Sequence, residues 1–338
     1  MPESLNILFT AKEQVTLERS PVAEPGPGEV LVRTTWTLVS TGTECICYGQ
    51  LYEPGTHWER YARYPMAAGY SHAGVVERIG PGVTDLAPGD RVASFASHRQ
   101  WVCAPAGQFL RVPEGVSDEE ATFYALATVA QNAVRRAAHE MGDIVAVIGL
   151  GILGQLVVQY ARVMGAWEVI AIDPSETRLG MAAAHGATHT LCCRADAARD
   201  AIAEITRGRM ADVVYDVTGF PEAFAPAQRL ARRFGRLVLL GDSWAPSEQR
   251  LTQDFLWRGL QVIGAFSGDP PATADDHHFW TRPHMCQLFF DYLRRDQMRV
   301  RDLITHRFHP EQAPEVYAML LRDRSSTLGV LFDWRDVA

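Results

Sequence analysis

The sequence predicts an α/β protein in which a doubly wound parallel sheet interrupts a β-rich segment. Three observations predict it. The first ~115 residues carry short alternating runs punctuated by Gly and Pro. From about 144 to 265, apolar strands alternate with helical patterns, the signature of right-handed βαβ units. The remainder returns to a short mixture of helices and strands. Residues 1–118 and 267–338 are therefore expected to form one domain, split by an inserted domain over 119–266.

In the β-rich part, Glu29-Val30-Leu31-Val32-Arg33 and Gly74-Val75-Val76-Glu77-Arg78-Ile79 alternate as strands do. Pro81-Gly82, Pro88-Gly89-Asp90 and Pro113-Glu114-Gly115 supply turns. Ser117 is placed to cap a helix, with Glu120 at the capping-box position. The inserted domain's strands are expected at 144–148, 168–172, 212–216, 236–240 and 260–265. Beyond them come helix 284–295, Leu303-Ile304-Thr305, helix 310–322 and strand 328–333.

The strongest local signal is Val145-Ala146-Val147-Ile148 running into Gly149, Gly151 and Gly154, a strand followed by G-x-G-x-x-G. Gly149 allows a tight turn, Gly151 lets backbone approach a pyrophosphate, and Gly154 lets the next helix pack close. Ile152 and Leu153 open that helix, where free N–H groups and the helix dipole favour an anion. A second strand, Glu168–Ile172, ends in Asp173, 19 residues beyond Gly154 (173 − 154). That spacing suits an acid bonding both ribose hydroxyls, and a carboxylate repels a 2′-phosphate, which favours NAD over NADP. Arg178 stands near enough to bear on that choice.

Composition narrows the rest. The 338 residues are 47% hydrophobic and 21% charged, as in soluble globular proteins, and 338 residues suit two domains. No apolar run spans a bilayer and no secretory leader is visible, so a cytoplasmic protein without membrane partners is expected. A net charge of −8 argues against a nucleic-acid surface. The six cysteines form no disulfide framework. Lys12 is the single lysine, in a hairpin-like stretch far from the glycine turn, which excludes a lysine-based mechanism.

Pro88-Gly89-Asp90-Arg91-Val92, the glycine turn, Asp173, Asp216-Val217-Thr218-Gly219, Gly235–Gly241 and Leu303-Ile304-Thr305-His306 together resemble the medium-chain dehydrogenase/reductase superfamily, relatives of zinc alcohol dehydrogenases. The resemblance runs nearly end to end. It implies a Rossmann domain inserted in a GroES-like catalytic domain, and adds Thr218 and Gly241 to the cofactor contacts. It also implies a homodimer joined through an edge strand around Val262–Phe266.

The chain departs from the zinc-dependent pattern. Where relatives carry Cys-Gly-(Ser/Thr)-Asp it has Thr41-Gly42-Thr43-Glu44, and where they carry Gly-His-Glu it has Gly69-Tyr70-Ser71. The third ligand falls near Ala125, and the structural-zinc region 93–113 holds only Cys103. Zinc needs three or four N, S or O ligands at defined spacing, so no metal is expected. A replacement site built from Cys45, Cys47, His72 and His98 is conceivable, but packing and surface imidazoles fit that pattern better. The departures are similar to a zinc-less subgroup that includes bacteriochlorophyllide dehydrogenase-like proteins and dehydrogenases of secondary metabolism.

Without the metal, a positioned side chain must donate or accept the proton. Tyr70 is the first candidate, or else a space-filler for the lost zinc shell. Thr43 takes the family's hydroxyl relay position, and Ile46 replaces its relay histidine. His72 and His98 are the titratable alternatives, and strand alternation would put Tyr70 and His72 on one face. Thr41, Glu44, Trp58, His98 and Trp280 are read as the substrate side, with Glu44 also suited to anchoring backbone. Tyr61, Tyr64, Trp101 and Phe279 are further aromatic walls, and Asp276–Trp280 a loop over the cleft. The expected activity is zinc-independent, NAD(H)-dependent hydride transfer to or from a bulky secondary alcohol or ketone. The alternatives are a zinc-less quinone or enoyl C=C reductase and a non-catalytic cofactor-binding protein.

Overall fold

The computed structural model of the protein describes residues 3–266, 268, 270–271, 273–275 and 278–337. Asp276 and His277 of the expected loop lie outside the described residues. Contacts divide the chain into two compact units, Met1–Leu126 with Cys286–Ala338, and Ala127–Met285.

The first unit begins with a hairpin, β1 (Glu3–Ala11) and β2 (Gln14–Pro21), whose turn holds Lys12 and a left-handed Glu13. There follow β3 (Glu29–Leu38), α1 (Thr41–Gly49), α2 (Trp58–Tyr61), β4 (Met66–Ala67), β5 (His72–Ile79), β6 (Arg91–Ser94), β7 (Trp101–Pro105) and β8 (Leu110–Arg111). Helices α3 (Asp118–Ala121) and α4 (Tyr124–Arg136) come next, and the Ser117–Glu120 capping box forms as anticipated. Strand β3 is the spine, antiparallel to both β5 and β7. Its Val30 and Val32 pack with Val76, Val92, Val102 and Phe109, while the intervening turns bend at Gly82 and Gly89, both at positive φ.

The second unit is the alternating stretch. It comprises β9 (Ile144–Ile148), α5 (Ile152–Val163), β10 (Glu168–Ile172), α6 (Glu176–Ala184), β11 (His189–Leu191), α7 (Arg199–Ile205), β12 (Ala211–Asp216), α8 (Pro221–Leu230), β13 (Ala231–Leu239), α9 (Gln253–Arg258) and β14 (Gln261–Gly264). The six strands are parallel in the order β11-β10-β9-β12-β13-β14, the doubly wound topology. Buried Val145, Val147, Ile170, Val214 and Leu237 explain why these strands read as near-continuous apolar runs.

The chain then gives α10 (Arg282–Arg294), β15 (Ile304–Phe308), α11 (Ala313–Arg322) and β16 (Gly329–Asp333), and β16 pairs with β3 in the first unit's larger sheet. The unit borders lie later than the expected 118/119 and 266/267. Side chains of α4 account for the second shift. Asn132 donates to the Phe266 carbonyl (2.9 Å), Gln131 to that of Met285 (3.1 Å), and the Arg135 guanidinium lies 3.5 Å from the Trp280 ring centroid. These contacts tie Phe266, Trp280 and Met285 to the inserted unit. No helix among the described residues is long and apolar enough to cross a membrane.

Candidate active site

In the second unit, the glycine turn joins β9 to α5 as its spacing requires. Gly149 has φ +88°, and a Cβ there would meet the Thr218 methyl at 2.8 Å. A Cβ on Gly154 would lie 2.0 Å from the Gly149 carbonyl oxygen, so only glycine lets α5 start this close to the strand. Around Gly151, the N-cap of α5, the space is open. No side chain caps this helix, which leaves the first-turn amides at Ile152 and Leu153 to an anion.

Asp173 follows β10 and is nearly buried. Its carboxylate accepts from the Leu150 N–H inside the glycine turn and from the Ser175 N–H, both at 2.8 Å. Arg178 Nη1 stands 4.0 Å from the same carboxylate. After β12, Asp216 accepts from the Thr218 N–H (3.0 Å) and hydroxyl (2.7 Å), and burial raises its pKa above the usual carboxylate range. Gly241, after β13, has no room for a Cβ, which would sit 2.3 Å from the Gly219 nitrogen. All these groups crowd the carboxyl ends of β9, β10, β12 and β13, where such sheets bind ligands.

The first unit holds a different cluster. The Tyr70 hydroxyl lies 2.6 Å from Ser40 Oγ and 3.5 Å from Thr43 Oγ1. Burial pushes the phenol above its ordinary pKa, and the Ser40 and Thr43 hydroxyls pull it back in part. Beneath them Glu44, 2% exposed, accepts from the Ser40 N–H (2.6 Å), from His98 Nε2 (3.0 Å) and from the Tyr317 hydroxyl. Gly69, at φ +83°, makes room for His98: a Cβ there would lie 2.4 Å from the imidazole. Arg324 reaches in from the α11–β16 loop to the Thr41 carbonyl (2.9 Å).

The expected Tyr70–His72 pair is not among the bonds made. Tyr70 precedes β5, so strand alternation does not carry it to the face of His72. His72 is instead fully buried between Thr34 Oγ1 (3.0 Å) and Ser94 Oγ (2.9 Å). Burial, with help from Arg99 and His98, pushes its pKa down to about 3, so it stays neutral across the working pH range. Trp58, read as a substrate wall, is 4% exposed in the apolar core with Phe9, Tyr48 and Phe332, and Tyr64 packs against that same core. Trp280 belongs to the inserted unit beneath Arg135. Glu44 and His98 are interior groups, bonded to each other through His98 Nε2, and neither is exposed to meet a substrate.

Sequence reasoning missed Ser40, Tyr317 and Arg324. Ser40 had a signal, since S-T-G-T-E is a helix-start pattern. Tyr317 and Arg324 reach Glu44 and Thr41 across more than 270 positions and leave no local trace.

The family resemblance sets the first two zinc-ligand positions at Thr41 and Tyr70 and the third near Ala125. A threonine hydroxyl and a phenol with raised pKa are poor zinc donors. Cys45 and Cys47 are both buried, and burial raises their thiols to about 11 and 12. Among the described residues, no cluster of three or more His, Cys, Asp or Glu could hold a metal ion.

Residues 26–158 match the alcohol dehydrogenase GroES-like domain, and residues 153–280 the zinc-binding dehydrogenase domain. Human sorbitol dehydrogenase is 26% identical over 94% of this chain and 92% of its own. An alcohol dehydrogenase of Geobacillus stearothermophilus is 30% identical over 71% of this chain and 78% of its own. The crystal structure of 2R,3R-butanediol dehydrogenase from Bacillus subtilis superposes with a TM-score of 0.81 at 19% identity, covering 98% of this chain and 99% of that one. Fold, glycine turn and relatives agree: the chain belongs to the medium-chain dehydrogenase/reductase superfamily of oxidoreductases.

Proposed function

We propose that this protein is a zinc-independent, NAD(H)-dependent dehydrogenase that interconverts a secondary alcohol and its ketone, with the Tyr70 phenol handling the proton. The observation that carries the proposal is the replacement of a metal-ligand set by hydroxyls, with Tyr70 held by Ser40 and Thr43. Bound NAD(H) supplies or accepts the hydride. Ile152, Leu153 and the open space at Gly151 suit its pyrophosphate, and Asp173 and Arg178 its ribose. Thr218 and Gly241 line the loops at the neighbouring strand ends.

The resting protonation state follows from the phenol. A raised pKa keeps Tyr70 protonated at neutral pH, so the resting side chain donates, which matches reduction of a carbonyl. Oxidation needs the phenolate, favoured only as pH rises. Thr41, Thr43 and the exposed ring of Tyr61 are the groups left to meet substrate, and a ring-bearing substrate suits them. Asp173 favours NAD, because its carboxylate would face the 2′-phosphate of NADP.

A homodimer goes with this reading. Strand β14 ends the six-stranded sheet, and Val262 on it and Phe266 just beyond it are exposed, as are Phe234 of β13 and Trp257 of α9. The deciding experiment is turnover by metal-free protein with NADH and a panel of cyclic and acyclic ketones. Activity that survives exhaustive chelation supports the proposal, and activity restored only by stoichiometric zinc overturns it.

A further inference from the structure

Ser40 stands at the N-cap of α1, where a serine hydroxyl normally accepts from the amide two or three residues on. Here it makes no cap bond. Its Oγ lies 2.6 Å from the Tyr70 hydroxyl instead. The other half of a capping box is nevertheless present, one residue late: Glu44, in the first turn, reaches back to accept the Ser40 N–H at 2.6 Å. Glu44 is itself fixed by His98 and Tyr317, and Gly69 clears the space that His98 occupies.

We infer that Ser40 is a positioning residue for Tyr70: its hydroxyl is withheld from the helix cap to hold the phenol oxygen, while the Glu44–His98–Tyr317 clamp fixes the Ser40 backbone. This deepens the reading of Tyr70 as the proton-handling group and rests on it. The physical logic is one of geometry. A capping serine turns its hydroxyl toward the helix amides, and this one is turned to the phenol. The same hydroxyl facing a phenol can donate its proton to the oxygen as negative charge gathers there, a charge-assisted bond stronger than a neutral one. Giving up the cap costs α1 a little stability, and the carboxylate of Glu44 near the positive end of the helix offsets part of that. Ser40 is 6% exposed, so water competes poorly for the phenol.

The test puts a fluorinated tyrosine at position 70 of the full-length protein. Its lower pKa brings the titration into a range where the chain stays folded, and its fluorine resonance reports this one phenol among ten tyrosines. In the Ser40→Ala variant we expect the titration to move up by about one to two pH units, the scale of one charge-assisted bond. Thermal stability should fall slightly, because the phenol loses a buried partner although no cap bond is lost. Ser40→Thr, which keeps the hydroxyl, should restore the titration and stands in if Ser40→Ala does not fold. An unchanged titration in Ser40→Ala overturns the inference. So does a fall in stability with an unmoved titration, which would mark Ser40 as an ordinary cap. The readout needs no turnover, so it separates from the parent reading. If Tyr70→Phe turns over normally, the acid–base role fails while the Ser40–Tyr70 coupling is still measured.

Discussion

The two units hold their functional groups by opposite means. In the inserted unit the site is backbone: amides at the start of α5, carbonyl ends of parallel strands, and glycines whose missing Cβ atoms let the segments touch. In the first unit it is side chains, with Ser40, Thr43 and Tyr70 drawn from α1 and the approach to β5, and Glu44 pinned from His98 and Tyr317. A backbone site leaves a regular mark on the sequence because few residues satisfy its geometry. A side-chain site does not, because each hydroxyl could belong to many environments.

That contrast is sharpest at Gly154 and Gly151, and the largest effects are expected there. Gly154→Ala places a methyl 2.0 Å from the Gly149 carbonyl, so α5 must move. We expect loss of NADH binding together with a lower melting temperature. Gly151→Ala meets open space, so the fold should be untouched while the pyrophosphate approach is blocked. Calorimetry for NADH affinity and scanning calorimetry for stability separate the two. If Gly151→Ala also unfolds the protein, the division between packing and binding glycines is wrong.

The next test sits on the side-chain half. Tyr70→Phe should lower turnover by about 10²–10⁴-fold, the range for a positioned proton donor, and leave NADH affinity unchanged. In the native protein, carbonyl reduction should fall and alcohol oxidation rise as pH climbs through the raised phenol pKa. Steady-state rates in both directions from pH 6 to 11 check this. Parallel profiles would remove Tyr70 from the proton step.

Asp173 offers a smaller change that crosses between the two designs. Asp173→Asn keeps an acceptor for the Leu150 amide but loses the charge opposite a 2′-phosphate. Preference for NADH over NADPH should shrink by about tenfold, near 1.4 kcal/mol. Affinities for both cofactors measured side by side decide it. An unchanged ratio would assign cofactor choice to Arg178.

The same contrast explains what could be read before any coordinates. Strands 144–148 and 168–172 were legible to the residue, because both faces are buried and the apolar run ends where a glycine turn or an acid begins. Tyr70 was singled out by its place in the Gly69-Tyr70-Ser71 stretch, and the structure puts its hydroxyl beside Ser40 and Thr43. Ser40 and Tyr317 were not. Ser40 looks like any helix cap, and Tyr317 lies 273 positions from the carboxylate it bonds. Trp58 and His72 misled in the same way. A large ring and an imidazole carry chemistry only when something leaves them accessible, and both are sealed inside the first unit.

His72 gives the smallest effect and the cleanest check on that last point. Its pKa falls from 6.5 to about 3 on folding, so the unfolded chain binds a proton that the native one refuses. Stability conferred by the neutral imidazole is complete above pH 6.5. It is lost as pH falls, by about 1.4 kcal/mol per unit once well below 6.5 and until about pH 3. His72→Asn removes that proton and should flatten the acid limb of a urea-midpoint series between pH 4.5 and 7. At pH 7 it should cost about 1–3 kcal/mol, because Thr34 or Ser94 loses a buried partner. The pH profile of turnover should not move. A shifted profile with an unflattened acid limb would return His72 to the chemistry and make the first unit's site larger than the Ser40–Thr43–Tyr70 cluster.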